Sequence, residues 1–163
     1  MDKSHNVVIK PMGARHRSDV TDILKRVGVF NEREIRVALE VIDSYLSGSK
    51  DYTIKVAVDE KDSVKGYICY GHASLTNGAY YLYWIAVHPE HQREGIGRML
   101  MKFMEDDVRK NGGRMILLET SSIDKYKVAR EFYSANGYEC LAHVKDFYDI
   151  GNDLLIYGKY FDL

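Results

Sequence analysis

The stretch Trp84-Ile-Ala-Val87-His-Pro89-Glu-His-Gln92-Arg-Glu-Gly95-Ile-Gly97-Arg98 decides how this chain is read. It opens on the tail of an apolar, aromatic run, Tyr80–Val87, which predicts a strand. Pro89 has no N–H to give to a ladder and ends that run. Beyond it, Ile96, Met99, Leu100, Phe103, Met104 and Val108 recur at helical spacing. A loop holding Gly95 and Gly97 therefore carries the chain straight from strand to helix. Such a loop aims several backbone N–H groups at one point, and the helix dipole adds positive potential there. The two glycines permit backbone angles and a close approach that a side chain would forbid. With Arg93 and Arg98 alongside, this is a candidate cradle for a pyrophosphate. Glu94 has the wrong charge for that task and is expected to point outward. Two other glycine-loop chemistries fail on the same residues. A Walker loop needs Lys directly after its last glycine, where Arg98 stands, and G-x-G-x-x-G needs glycine at Leu100.

Upstream, Val7–Pro11 reads as a short strand. Val20, Ile23, Leu24 and Val27, then Ile35, Ala38, Leu39, Ile42, Tyr45 and Leu46, mark two helices joined around Gly28–Asn31. Asn31 with Glu34 three residues on has the form of a capping box. Tyr52–Val58, Val64–His72 and Tyr80–Val87 are strand candidates, linked by Asp59–Ser63 and Thr76-Asn77-Gly78 as an antiparallel meander. Downstream, the helix stops at Asn111-Gly112-Gly113. Met115–Thr120 is a strand without alternation, which predicts burial on both faces. Tyr126, Ala129, Phe132 and Tyr133 mark a last helix, ended by Asn136-Gly137. Tyr138–Lys145 and Asp153–Phe161 close the chain as a pair of strands, with a polar aromatic crossing between them. The order is βααβββαβαββ, an α/β class with a mixed sheet.

At 163 residues, without linker, repeat or low-complexity tract, the chain reads as one domain over residues 1–163. A formal net charge of -1 gives no overall field toward nucleic acid or an anionic membrane. No stretch is apolar for long enough to span a bilayer. The opening MDKSHNVVIK has no apolar core of a secretory signal, so a cytoplasmic location is expected. Cys69 and Cys140 each lie in an apolar run and are expected to be buried, reduced thiols. His88 and His91 lack a Cys or carboxylate cluster at ligand spacing, so no metal is expected. Tyrosine is plentiful, 13 residues, several of them in Tyr80–Trp84, a run that reads either as half-buried packing or as a pocket wall.

Two motifs together carry more than either alone. Val87-x-Pro89-x-x-Gln92-x-x-Gly95-x-Gly97 resembles the acyl-CoA-binding signature of the GNAT N-acetyltransferases. Ala129-Arg-Glu-Phe132-Tyr133-Ser-Ala-Asn-Gly137-Tyr138 resembles that family's stretch on its next helix, at the matching spacing. The resemblance spans most of the chain and is weakest over residues 1–50. It implies an acetyl-CoA-dependent N-acyltransferase with its cofactor in a V-shaped cleft between the strands ending near Val87 and Thr120. It implies that backbone N–H groups of Gln92, Arg93, Glu94, Gly95, Ile96, Gly97 and Arg98 hold the pyrophosphate. The resemblance further implies that the main chain of Ile85 and Val87 pairs with the pantetheine arm, that the N–H of Ile85 serves as oxyanion donor, and that Tyr133 is the general acid. The alternative for Tyr133 is a packed helix aromatic.

The sequence departs from the family pattern twice. Tyr126 stands where many members carry a cofactor-touching Asn, and Tyr81 where many carry a strand glutamate as base. An alkylammonium must lose a proton before it can attack. Tyr81, Tyr83, Glu119, Glu34 and Glu40 all remain open as the group that takes it. Glu119 in Met-Ile-Leu-Leu-Glu-Thr is the candidate for a desolvated carboxylate, unless it simply faces solvent. The segment Asp146–Asp153 is a further candidate for shaping the acceptor pocket. The expected acceptor is a primary amine on a small molecule or amino acid, and the protein a monomer or homodimer. Two rivals stand beside this reading: a non-catalytic acyl-CoA-binding module, and a protein or peptide lysine acetyltransferase.

Overall fold

Runs of alternating apolar residues form the strands, and helices with one apolar stripe cover them. The computed structural model describes residues 6–162, so the opening residues 1–5, part of the stretch read as lacking a signal, lie outside it. The elements are β1 (Val8–Pro11), α1 (Arg17–Arg26), α2 (Glu32–Leu46), β2 (Thr53–Val58), β3 (Val64–His72), β4 (Ala79–Val87), α3 (Ile96–Lys110), β5 (Met115–Ser121), α4 (Lys127–Ala135), β6 (Glu139–Asp149) and β7 (Asn152–Tyr160). Their order is the one expected, and the fold is mixed α/β. Single 3₁₀ turns at Pro89–His91 and Asp124–Tyr126 lead into the loops before α3 and α4.

Among the described residues the strands form one sheet in the order β1-β2-β3-β4-β5-β7-β6. All neighbours pair antiparallel except β4 and β5, which run parallel. One face is covered by α1 and α2, whose Val20, Ile23, Leu24, Ala38 and Ile42 pack on Ile54, Val56 and Tyr67. The other is covered by α3, whose Leu100, Met101, Met104 and Val108 pack on Ile68, Leu82, Ile116 and Leu118. Each fully buried aliphatic side chain contributes roughly 1.5–3 kcal/mol, so the two clusters clamp the middle strands from both sides. At the start of α2, the Asn31 side chain accepts from the Glu34 N–H at 2.8 Å and the Glu34 carboxylate accepts from the Asn31 N–H at 3.3 Å. This is the expected capping box.

Pairing of β4 with β5 covers only Ala79, Tyr80 and Tyr81 against Met115, Ile116 and Leu117. Just beyond, Cys69 lies opposite Trp84 while Tyr70 lies opposite Leu82, leaving Tyr83 as an extra residue. Such a bulge bends its strand and strengthens the local twist. From Leu82 onward β4 stays with β3 and leaves β5, opening a wedge in the sheet.

Three expectations on this half of the chain are corrected. β6 does not stop at Lys145; it runs to Asp149, and the turn is Ile150-Gly151, with Gly151 at φ +78°. Met115–Ser121 is not buried on both faces: Ile116, Leu118 and Thr120 are buried while Glu119 is exposed, because the second face opens onto a cavity instead of a helix. Cys140 is exposed on the outermost strand, whereas Cys69 is buried as expected, and both are free thiols. Among the described residues no helix is long and apolar enough to cross a membrane.

Candidate active site

The loop from β4 to α3 is pinned at both ends. The His88 N–H donates to the Lys65 carbonyl at 2.8 Å, and the Gln92 amide reaches back to the Val87 carbonyl at 3.5 Å. Glu94 turns onto His91, with 3.1 Å between carboxylate and Nδ1, so its charge is directed back along the loop. Arg93 at φ +65° and Gly95 at φ +82° both adopt the left-handed region. That conformation lets the chain enter α3 with Gly95 as N-cap and no side chain capping the first turn. The first intrahelical bond closes at Met99 N–H to Gly95 carbonyl, so the N–H groups of Ile96, Gly97 and Arg98 have no helical partner. Gly97 sits close under α4: a Cβ there would lie 3.2 Å from the Phe132 ring, a tight contact that the ring would have to yield to. Neither Arg93 nor Arg98 forms an ion pair among the described residues, and both are exposed.

The ladder with β3 fixes which way the wedge-lining main chain points. His88 and Lys65 are a hydrogen-bonded pair. In an antiparallel ladder such pairs alternate, so Ala86 and Trp84 also face β3. Val87 and Ile85 therefore turn their N–H and carbonyl groups to the opposite edge, where β5 has diverged. Ile85, Val87, Phe132 and Tyr133 pack against the same apolar cluster as α3. Tyr133 is half-buried, and burial around its hydroxyl pushes its pKa up to about 12, with no hydrogen bond contributing. The phenol is therefore protonated throughout the neutral range and free to donate.

On the other face of β4 lies a cavity of about 480 Å³ lined by Tyr81, Leu82, Tyr83, Trp84, Glu119 and Tyr148. Three of the five base candidates, Tyr81, Tyr83 and Glu119, thus meet at one opening. Tyr148 arrives from the far end of β6, on the segment singled out above. Trp84 belongs to the run Tyr80–Trp84 read as packing or as a pocket wall, whereas Leu82, whose side chain packs with the α3 cluster, was not singled out; no residue type in the run announces the bulge at Tyr83. Glu119 is exposed, so the desolvation argued from its apolar neighbours does not hold. A second hollow, about 510 Å³ over α1 between Arg17 and Lys25, contains none of these groups.

Tyr126 stands apart from the loop. Its hydroxyl donates to the Glu34 carboxylate at 2.8 Å, and burial together with that carboxylate raises its pKa. Glu34 thus spends one oxygen on the helix cap and the other on Tyr126, which leaves it poorly placed to take a proton from a substrate. Arg130, also unforeseen, donates to the carbonyls of Ser121 at 2.7 Å and Ile123 at 2.9 Å and fixes the exit of β5.

A profile of the GNAT acetyltransferase domain matches residues 50–140. A crystal structure of a protein assigned to the GNAT acetyltransferases from Desulfovibrio desulfuricans is 37% identical, covers 94% of this chain and 98% of that one, and superimposes with a TM-score of 0.90. The ribosomal-protein-S18-alanine N-acetyltransferase of Escherichia coli is 18% identical over 96% of this chain and 95% of that one, at a TM-score of 0.77. The aminoglycoside 6'-N-acetyltransferase of Enterococcus faecium is 19% identical over 94% and 96%, at 0.73. At those identities the last two show the fold alone. No curated protein matches the chain in sequence. The profile match and the Desulfovibrio relative, laid over this loop, wedge and helix, make the chain a member of the GNAT family of acetyl-CoA-dependent N-acetyltransferases.

Proposed function

We propose that this enzyme moves the acetyl group of acetyl-CoA to a primary amine of a small molecule by direct attack, within one domain and without a covalent enzyme intermediate. The observation that carries the reading is the wedge. β4 abandons β5 at the bulge, the main chain of Ile85 and Val87 is left without a strand partner on that edge, met only by the Gln92 amide at the Val87 carbonyl, and uncapped N–H groups of α3 stand at its end. An extended pantetheine arm fits as a substitute strand, with the pyrophosphate over the N–H groups of residues 92–98 and the charges of Arg93 and Arg98 beside it. The N–H of Ile85 then faces the thioester carbonyl and stabilises its oxygen as negative charge develops.

The step balances as follows. The amine nitrogen forms a bond to the acetyl carbon, the carbon–sulfur bond breaks, and the sulfur leaves with the electron pair. Tyr133, kept protonated by burial, donates to that sulfur. The ammonium first gives one proton to Glu119, directly or through water, in the cavity that Tyr81 also lines. Once the C–N bond has formed, the nitrogen loses a second proton, which restores Tyr133, so the step releases one proton net. Cys69 is buried and its thiol is pushed up to about 12 by burial, while Cys140 sits on the outer strand. Neither is suited to carry an acyl group.

Thermal unfolding with acetyl-CoA, against ATP and NAD, tests the cofactor half of this reading. Ligand at about 100 times its dissociation constant adds roughly 2.7 kcal/mol, which raises the midpoint of a chain this size by several degrees. A shift with acetyl-CoA alone is expected. No shift at millimolar acetyl-CoA would remove the basis for every role assigned here.

A further inference from the structure

The acceptor cavity has a charge pattern that narrows its ligand. Among the described residues its lining is three tyrosines, a tryptophan, a leucine and one carboxylate, Glu119, with no lysine, arginine or histidine. The surroundings repeat the sign. Tyr148 has its hydroxyl pKa raised first by burial and then by the nearby charges of both Glu119 and Glu34. Tyr83 is raised by burial and, among smaller causes, by Asp51. Tyr83 also meets Tyr52 edge-on, with ring centroids 5.5 Å apart, and Tyr81 at 5.9 Å, so the wall is a continuous aromatic surface. Ring faces attract cations. A carboxylate entering the same space would give up water, meet Glu119 and find no cationic partner among the lining residues.

We propose that this cavity selects a compact cationic amine that bears no carboxylate, with Glu119 as the specificity-determining residue and Tyr148 as the wall that closes over it. The inference rests on the acetyl-transfer reading above and deepens it: of small-molecule amines and amino acids, it excludes the acceptors that keep a free carboxylate. The chemistry is unchanged, with one C–N bond formed, one C–S bond broken and CoA released as the thiol.

The test is a matched series at saturating acetyl-CoA, read by thiol release: 1,4-diaminobutane, ornithine, which is the same skeleton plus a carboxylate, and ornithine amide, which removes its charge. The diamine is expected to exceed ornithine in kcat/KM by roughly tenfold or more, the scale of one unfavourable charge pair near a protein surface. Ornithine amide should return most of that loss. In Glu119→Gln the ratio of diamine to ornithine should collapse to within a few-fold, whatever happens to the absolute rates; the exposed position makes misfolding easy to exclude by the unfolding midpoint. Tyr148→Ala should raise the KM for diamine and leave that for acetyl-CoA unchanged. Parity between diamine and ornithine, preference for ornithine, or a ratio indifferent to Glu119→Gln would each overturn the proposal. Transfer to no member of the series would overturn it as well. The acetyl-CoA thermal shift then separates the two failures: a shift retained leaves the transferase standing with another acceptor, and a shift lost removes both.

Discussion

On the α3 side of β4 the candidate site is made of main chain, whereas on the α2 side it is made of tyrosine rings and a carboxylate. The first needs N–H groups at set positions, supplied by a left-handed Gly95, an uncapped helix and a strand edge left open by a bulge. Side chains there are constrained mainly by what must be absent, as at Gly97 beneath Phe132. The second draws Tyr81 and Tyr83 from β4, Glu119 from β5 and Tyr148 from β6, residues far apart in sequence. A cofactor common to a whole family can be held by backbone geometry, because every sequence supplies N–H groups. An acceptor particular to one enzyme has to be held by side chains. The contrast predicts that mutations on the first side act on acetyl-CoA and on the chemical step, and those on the second on the choice of amine.

The largest expected break in that division is Tyr133→Phe. A positioned proton donor contributes about 10²-fold or more to rate, so kcat should fall by about that factor while the acetyl-CoA thermal shift is kept. A loss of the shift would mean that the ring, and not the hydroxyl, was the functional part. The pH profile sharpens the same point. Because the phenol is raised to about 12, it stays protonated as pH rises through the neutral and mildly alkaline range. Kcat should therefore show no loss assignable to Tyr133 between about pH 7 and 10; a falling limb there that vanishes in the Phe variant would refute the assignment.

Gly97→Val probes the main-chain side through packing. Its Cβ alone would stand 3.2 Å from the Phe132 ring and 3.7 Å from Val87, and two further methyls add to that crowding. Overpacking of this kind costs about 1–3 kcal/mol, a drop of several degrees in the unfolding midpoint. The N–H groups of the first turn should shift with it, raising the KM for acetyl-CoA about tenfold and leaving the ratio of diamine to ornithine as it was. A changed ratio would show that the two sides are coupled through β4.

The same contrast explains what could be read before the fold was known. Strand, loop and helix around residues 84–98 are contiguous, and each signal there is local: Pro89 stops, Gly95 turns, the apolar spacing changes period. The Asn31–Glu34 cap is equally local. The acceptor side was legible only in fragments. Tyr81, Glu119 and the segment holding Tyr148 could be named, but their meeting depends on a bulge at Tyr83 that no residue type marks. β6 runs past the end its sequence predicts, because the polar aromatic stretch Asp146-Phe147-Tyr148 reads as a crossing between strands. In the fold Asp146 does take φ +53°, yet its N–H binds the Asp153 carboxylate and its own carboxylate accepts from the Gly151 N–H. Those bonds carry an irregular strand past Asp146 to the real turn. Cys140 departs from the burial expected of it for a related reason: every residue of β6 is exposed, so an apolar run there does not imply burial.

Tyr126→Phe is the smallest expected effect and the one that settles an ambiguity between the two sides. The family resemblance implies a cofactor contact at this position, while the hydroxyl is found on Glu34, tying the turn before α4 to the start of α2. If the tie is its whole role, the Phe variant loses one half-buried hydrogen bond, about 1 kcal/mol, or roughly 2–4 °C in midpoint. The KM for acetyl-CoA should then stay within about twofold, and the freed Glu34 would be rehydrated in place because its cap bond to Asn31 remains. A KM for acetyl-CoA raised tenfold with an unchanged midpoint would reverse the assignment. The hydroxyl would then turn from Glu34 to the cofactor when acetyl-CoA binds, and α2 would be released at the moment the acceptor enters.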